Sequence, residues 1–426
     1  MYAYYLRVFM ALLPHTAIYT TGNTDTKWLI HEMQQGTFFH FSNCLKLHGE
    51  IFSDERLNYF IEEEHRHGRY LLSTINQNEL AQASNGEQRM ALLQYIIAKK
   101  PAYIILDNVY SSLDTDARQY LLNILQSICH HTLLLQIITR KKDCLPFIQE
   151  VYSVHEKAIV ARQNPDSFLA AADVAVAVGH SFANAIPAPL IKYPAPENPL
   201  VKMENVSVDF DGRKILHNIC WQINTGECWQ LTGPNGSGKS TLLAVITGDS
   251  PKGYGQDLIL FGNKKGSGES VWDIKEKIGY FSSGMLQHYN GRHSALQMIA
   301  GGLFDSVGLY FHPTESQVNL AEEWLQLLGM TALKNCLFVQ LSMVQQRLLL
   351  LARAMIKHPP LLILDEPVNG LNDEGALLFT ALVNRIAAQE TTAIIYVSHQ
   401  KEEGLYPQYI FHLQPGANGS EGIQLL

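Results

Sequence analysis

The 426-residue sequence is poor in several features at once. Cysteine is scarce: Cys44, Cys129, Cys144, Cys220, Cys228 and Cys336 are scattered, with no C-x-x-C pair and no metal-finger spacing. That pattern argues against a disulfide framework and for reduced, buried thiols in a cytosolic protein. A basic surplus is missing too. The formal net charge is −8 and the pI is about 6.1, so composition gives no general support for nucleic-acid binding. Also absent is any run of the ~18–20 uncharged apolar residues that a membrane helix needs. The longest candidate, residues 168–191, is interrupted by Asp173, His180, Asn184 and two prolines. The opening RVFMALLPHTAIY has an arginine before apolar residues, as a signal core does. No small-residue cleavage site follows it, and it reads as a first strand. With 46% apolar and 17% charged residues, the chain has ample core for two or three domains. It is expected to be soluble, or peripheral on a membrane through a partner.

What is present is concentrated in the second half. CWQLTGPNGSGKSTLLAVITG (228–248) runs apolar strand, glycine loop, apolar helix. Gly233, Pro234, Asn235, Gly236, Ser237, Gly238, Lys239 and Ser240 satisfy G-x-x-x-x-G-K-[ST] in the strand-to-helix context the pattern requires. The glycines let successive backbone N–H groups turn toward phosphate oxygens, and the helix N-terminus adds its positive dipole end. Lys239 is expected to reach the β and γ phosphates and Ser240 to help hold Mg²⁺, with Thr241 closing the phosphate-binding set. LLILDEP (361–367) is an apolar strand ending in Asp365, a Mg²⁺ ligand directly or through water. Glu366 follows, where a carboxylate can polarise an attacking water. AIIYVSHQ (393–400) carries His399 to the carboxyl edge of a doubly wound sheet, the place of a γ-phosphate sensor. These residues predict an α/β P-loop fold, ATP and Mg²⁺ as ligands, and hydrolysis of ATP to ADP and phosphate.

In this order the motifs of residues 200–426 resemble those of an ATP-binding cassette (ABC) ATPase. The resemblance implies an adenine-stacking aromatic upstream of the loop, and Phe210 in VSVDFDGRKIL fits. It also implies a water- and metal-contacting Gln after the next strand, where IGYFSS (278–283) has the shorter Ser283. The signature between loop and acidic strand, QLSMVQQR (340–347), has Met343 and Val344 in place of glycines.

The first half repeats the second in worn form. SNGEQRMALLQYIIAKKPAYIILDN (84–108) lies over SMVQQRLLLLARAMIKHPPLLILDE (342–366). Ser84 and Ser342, Asp107 and Asp365, and Leu113 and Leu371 are each 258 residues apart; Thr139-Arg140 and Ser398-His399 are 259 apart. A constant offset indicates a duplicated cassette. TGNTDTKW (21–28) stands where the phosphate loop belongs, with Lys27 as its lysine, threonines for glycines, and Trp28 for the metal-binding hydroxyl. Asn108 replaces the catalytic glutamate and Arg140 the histidine. From lysine to signature serine there are 57 residues (27 to 84) against 103 (239 to 342), so a helical subdomain and its Gln loop are expected to be missing. Yet the signature of this half, ASNGEQ (83–88), is the better one, keeping Ser84, Gly86 and Glu87.

ABC domains as a family pair head to tail, each nucleotide lying between one phosphate loop and the other signature. On that resemblance the sound loop, with Asp365, Glu366 and His399, faces the sound signature of Ser84, Gly86 and Glu87. The worn loop faces the worn signature. The expectation is an intramolecular pseudo-dimer with one working site: residues 1–163 a degenerate cassette, 164–199 an Ala/Pro-rich linker, 200–426 the ATPase. GYGQDLILFGNKKGSGESVWDIKEKIGYFSS (253–283) and LFDSVGLY (303–310) further resemble tandem ATP-binding proteins associated with molybdate transport. That implies a cytoplasmic or inner-membrane-peripheral protein working with membrane permease subunits. Two other functions stand beside this one: a soluble tandem cassette protein acting on ribosomes or in repair, as ABC-F translation factors do, and a low-turnover nucleotide-binding regulator. The linker is short of Lys and Arg, unlike the charged linker of the ABC-F class.

Overall fold

In this computed structural model the described residues are 13–21, 24–35, 48–68, 70–72, 79–80, 83, 85–111, 113–170, 182, 185–190, 198–210, 212–286, 289, 291–389, 391–399 and 401–425. They divide into two compact units, Met1–Val174 with Gly370–Asp373, and Ala175–Asn369 with Glu374–Leu426.

The first unit comprises β1 (Thr16–Thr21), α1 (Thr26–Gln35), β2 (Gly49–Phe52), α2 (Asp54–His67), α3 (Asn85–Ala98), β3 (Tyr103–Asp107), α4 (Thr115–Ile128), β4 (Leu133–Ile138), β5 (Glu150–His155), β6 (Ala158–Gln163) and α5 (Pro165–Ala170). YIILD and LLLQII are apolar on both faces, as strands covered by helices on both sides must be. The sheet order is β2-β3-β4-β1-β5-β6, parallel except for the last pair. Local signals set the helices. Ser53 caps α2, Asp54 and Glu55 fill its first turn, and Gly68 at φ 61° ends it. Helix α5 belongs to this unit rather than to a linker: Phe168 is buried and its ring packs edge-on to Tyr19 at 5.1 Å. The remainder of the expected Ala-rich helix, from residue 171, lies outside the described residues.

The second unit contains β7 (Val201–Phe210), β8 (Arg213–Ile223), β9 (Cys228–Thr232), α6 (Lys239–Ile246), β10 (Asp257–Leu260), β11 (Asn263–Lys264), α7 (Val271–Glu276), β12 (Ile278–Ser282), α8 (Ala295–Ala300), α9 (Glu315–Leu327), α10 (Met343–Met355), β13 (Leu361–Asp365), α11 (Asp373–Gln389), β14 (Ala393–Val397), β15 (Tyr409–Gln414) and β16 (Glu421–Leu425). Its main sheet runs β12-β13-β14-β9-β15-β16, the order of the first unit strand for strand, again with only the last pair antiparallel. A second, four-stranded sheet, β11-β10-β7-β8, packs into the same core through Val206, Val208, Ile219 and Trp221. Among its described residues the first unit has no such sheet, and no counterparts of α8 and α9. The duplicated architecture is thus α/β throughout, full in the second unit and reduced in the first.

Backbone detail follows the duplication. Asn108 (φ 44°) and Glu366 (φ 47°) are both left-handed, as are Lys100 (φ 50°) and His358 (φ 48°). Non-glycine residues rarely adopt that conformation, so its recurrence at matched positions marks one inherited turn geometry.

Candidate functional site

In the second unit the parallel strands β9, β13 and β14 end side by side, which gathers the phosphate loop, Asp365 and His399 at one sheet edge. Two glycines are required by the packing there. Gly233 sits at φ 151° and an added Cβ would lie 2.7 Å from the Leu413 carbonyl oxygen. Gly238 sits at φ 89°, where a Cβ would lie 2.8 Å from Leu216 Cδ2. Gly238 is the N-cap of α6 and brings no side chain to cap it. The first amides of that helix therefore keep the geometry that accepts an anion. Lys239 is buried, its Nζ donating to the carbonyls of Gly233 (2.7 Å) and Pro234 (2.9 Å). Ser237 is wholly buried and its Oγ has no hydrogen-bond partner among the described residues. Asn235, Gly236 and Ser240 are exposed, and Pro234 and Thr241 half-buried.

Beside the loop, His399 Nε2 lies 2.5 Å from Glu366 Oε1, and Asn369 Nδ2 donates to Glu366 Oε2 at 2.6 Å. Burial alone would raise the Glu366 carboxyl; the bond and charge of His399, with Lys239 and Asn369, outweigh it and hold the group below its ordinary range. Asp365 goes the other way. Burial, reinforced by the Glu366 charge, pushes it up to about 6, and Lys239 and His399 offset this only in part. A half-buried carboxyl this reluctant to ionise suits a cation, which would supply the missing compensation. Asp365 and the Ser240 hydroxyl fit Mg²⁺ by donor chemistry, hard oxygens completed by phosphate. Among the described residues no three His, Cys, Asp or Glu side chains cluster as an all-protein metal site.

Phe210 ends β7 43% exposed, with Lys252 Nζ over its ring 5.6 Å from the centroid. A side chain this exposed is not a core residue, and a surface ring is the kind a base can stack on. Position 283 follows the Ser282–Asp365 pair, which confirms that Ser283 is the residue one step past β12.

The first unit carries the same edge with other chemistry, and the sheet register revises two alignments made from sequence. Asp107 pairs with Ile137 as Asp365 pairs with Val397, and these partners pair with Ile18 and Leu231. Ile18 thus matches Leu231. Counting forward, Thr26 stands at the position of Lys239, Lys27 at that of Ser240, and Asp25 at that of Gly238. Lys27 is not the phosphate-loop lysine; it is exposed and paired with Glu55 at 3.0 Å. The Asp25 carboxylate accepts from the amides of Lys27 (3.0 Å) and Trp28 (3.2 Å), so the helix terminus already holds an anion of its own. The same register sets Thr139, not Arg140, opposite His399. Thr139 Oγ1 donates to Asn108 Oδ1 at 3.2 Å, a neutral version of the His399–Glu366 pair. Arg140 donates instead to the Leu371 carbonyl. Asp107 persists, and burial together with the Asp54 charge pushes it up to about 6, offset in part by Arg89 and Asn108.

Of the signature residues, Ser84 lies outside the described residues. Gly86 and Glu87 are half-buried in the first turn of α3. In the second unit Ser342 and Gln345 form a reciprocal capping box at the start of α10, while Met343 is half exposed. Sequence reasoning missed the Asp25 cap, although an Asp directly before a helical run is a start signal. It missed Asn369 too, for which the sequence offers none.

Comparison with known proteins agrees with this geometry. The pattern of the family described as ABC transporter matches residues 216–369. The ABC transporter ATP-binding protein ModF of Escherichia coli K12 is 36% identical over 337 residues, covering 77% of this chain and 68% of ModF. An uncharacterized ABC transporter ATP-binding protein of Schizosaccharomyces pombe is 29% identical over 339 residues, 78% of this chain and 68% of that protein. In fold, 96% of this chain matches 74% of a chain in a model of ribosome-bound archaeal Pelota and ABCE1, with a TM-score of 0.63 at 13% identity. Identity of 36% running through more than two thirds of both proteins exceeds shared fold alone, and the chain belongs to the ATP-binding cassette family of ABC transporter ATP-binding proteins.

Proposed function

We propose that this chain binds ATP with Mg²⁺ in its second unit and hydrolyses it at one site per chain. The observation that carries the reading is the Glu366–His399 pair at 2.5 Å beside a phosphate loop whose helix terminus is left uncapped by Gly238. In this reading Gly233, Pro234, Asn235, Gly236, Ser237, Gly238, Lys239, Ser240 and Thr241 hold the phosphates, and Phe210 stacks on the adenine. Bound Mg²⁺ supplies charge neutralisation, held by Ser240 and Asp365. Glu366 orients the attacking water and accepts its proton; His399 keeps that carboxylate ionised and aimed.

The closing element of the site is the first unit's signature segment, Ser84, Gly86 and Glu87. Support for that part is in the sequence: the losses fall on one loop and the opposite signature and spare the other set. The first unit binds no nucleotide of its own, supported by the Asp25 cap and the Asn108–Thr139 pair. The output is opening and closure of the two units, coupled to membrane permease subunits of an ABC transporter at the cytoplasmic face. Among the described residues no helix is long and apolar enough to cross a membrane. The first cargo to test is the molybdate oxyanion.

Hydrolysis of ATP by the purified chain tests the core of this function. Wild type turns over and Glu366→Gln binds ATP but does not; equal rates would overturn it. Co-purification from solubilised membranes with a permease supports the transport role, and co-purification with ribosomes instead would replace it.

A further inference from the structure

Glu366 is held by a residue that the phosphate-loop chemistry does not use. Asn369 Nδ2 donates to Glu366 Oε2 at 2.6 Å, and the Asn369 amide closes the same turn on the Glu366 carbonyl at 3.3 Å. Below the turn lies Arg347. Its Nη2 reaches the Asn369 carbonyl only at 3.5 Å, and its guanidinium sits 5.7 Å over the Phe281 ring. Its Nε and Nη1 are buried without an acceptor among the described residues. Buried guanidinium donors are normally satisfied, because an unmet charged donor is costly.

The first unit shows what satisfaction looks like. Arg89 is the match of Arg347, 258 residues earlier, and its guanidinium also lies 5.7 Å over a matched ring, Phe52. Phe52 pairs with Leu106 as Phe281 pairs with Leu364, which fixes the correspondence. Arg89 Nη1 donates to the carbonyls of Asn108 (3.2 Å) and Val109 (3.4 Å). Its Nη2 is paired with the Asp54 carboxylate. Asp54 stands two residues after Phe52, and the residue two after Phe281 is Ser283. The worn unit therefore ties its arginine to the turn and to a carboxylate. Among the described residues the second unit leaves the same arginine on one long bond, under the turn that bears Glu366.

We propose that Arg347, acting through Asn369, is a positioning residue for Glu366. The arginine supports the turn from below while Asn369 fixes the carboxylate oxygen that His399 does not hold. This rests on the reading of Glu366 given above.

The test uses the full chain. In Mg²⁺-dependent ATP hydrolysis, Asn369→Ala and Arg347→Met each lower kcat about 10- to 100-fold while KM for ATP stays within about twofold. Arg347→Lys recovers part of the loss, and the double variant is no worse than the single ones, since both act on one turn. Wild-type kcat in Asn369→Ala and Arg347→Met, with Glu366→Gln inactive, overturns the inference. If Glu366→Gln itself turns over normally, the proposed hydrolytic function has failed, and the inference that rests on it falls with it.

Discussion

At the carboxyl end of β14, His399 Nε2 meets Glu366 at 2.5 Å; at the carboxyl end of β4, Thr139 meets Asn108 at 3.2 Å. One pair carries a carboxylate and the other does not, yet each hangs on a six-stranded sheet of the same strand order with the same left-handed turn. The phosphate loops differ in the same sense. Gly238 leaves the α6 terminus uncapped, whereas Asp25 fills the α1 terminus with its own carboxylate. The worn unit has not come apart. Where the second unit has an uncapped terminus and a His–Glu pair, this unit has internal contacts, the Asp25 cap and the Thr139–Asn108 bond, since buried polar groups must be paired whether or not a ligand comes. The scaffold and the chemistry are therefore separable: on the main sheet the units differ in a few side chains, while the second, four-stranded sheet is described in one unit only.

The comparison breaks most sharply at the lysines. Lys239→Ala is expected to lower ATP turnover by about a thousandfold, as loss of phosphate-loop charge and positioning would. Lys27→Ala should leave turnover within about twofold, since removing an exposed, solvent-screened ion pair changes little. Steady-state hydrolysis distinguishes them, and an effect at Lys27 would restore it as a working loop lysine.

The acidic residues sharpen the contrast next. Asp107 retains the raised carboxyl of a metal ligand in a unit that is read as holding no metal. Its folded-state value of about 6 exceeds the ordinary 3.8, so its stabilising contribution is full below pH 3.8 and lost as pH rises through 6. At about 1.4 kcal/mol per unit, Asp107→Asn should stabilise the protein at pH 7.5 by up to about 3 kcal/mol. Little gain is expected at pH 4. Denaturant unfolding at the two pH values measures it; an equal gain at both would show that the charge is not the cause.

Smaller effects follow. Phe210→Ala should weaken ATP binding about tenfold, the worth of one stacked ring, with kcat little changed. Binding titration reads it directly. Asp25→Ala removes the α1 cap and should cost about 1 kcal/mol of stability. It should create no second nucleotide site, because Thr26 stands in place of Lys239 and Asn108 in place of Glu366; a second binding event in that variant would show the cap alone to be the block.

Much of this was legible in the residues. The phosphate loop, Asp365, Glu366 and His399 announce themselves by type and spacing, and the duplication by a constant offset. What the sequence hid were single-residue shifts. Lysine after two threonines suggests a surviving loop lysine, but loops carry no register, and only the strand pairing from Asp107 through Ile137 to Ile18 moves Lys27 one place on. Thr139-Arg140 looks like Ser398-His399 until the same pairing sets Thr139 opposite His399. The reduced first unit was expected from the shorter run between Lys27 and Ser84 than between Lys239 and Ser342. The Arg347–Asn369 support was invisible because no residue type or spacing signals it, and only the contrast with the Arg89–Asp54 pair makes it readable.

The central claim is that one unit of the two binds nucleotide. Equilibrium titration of the Glu366→Gln full chain with ATP and Mg²⁺ tests it most directly. One ATP per chain, abolished by adding Lys239→Ala and untouched by Lys27→Ala, is the result expected. Two per chain, or one that survives the loss of Lys239, would contradict it.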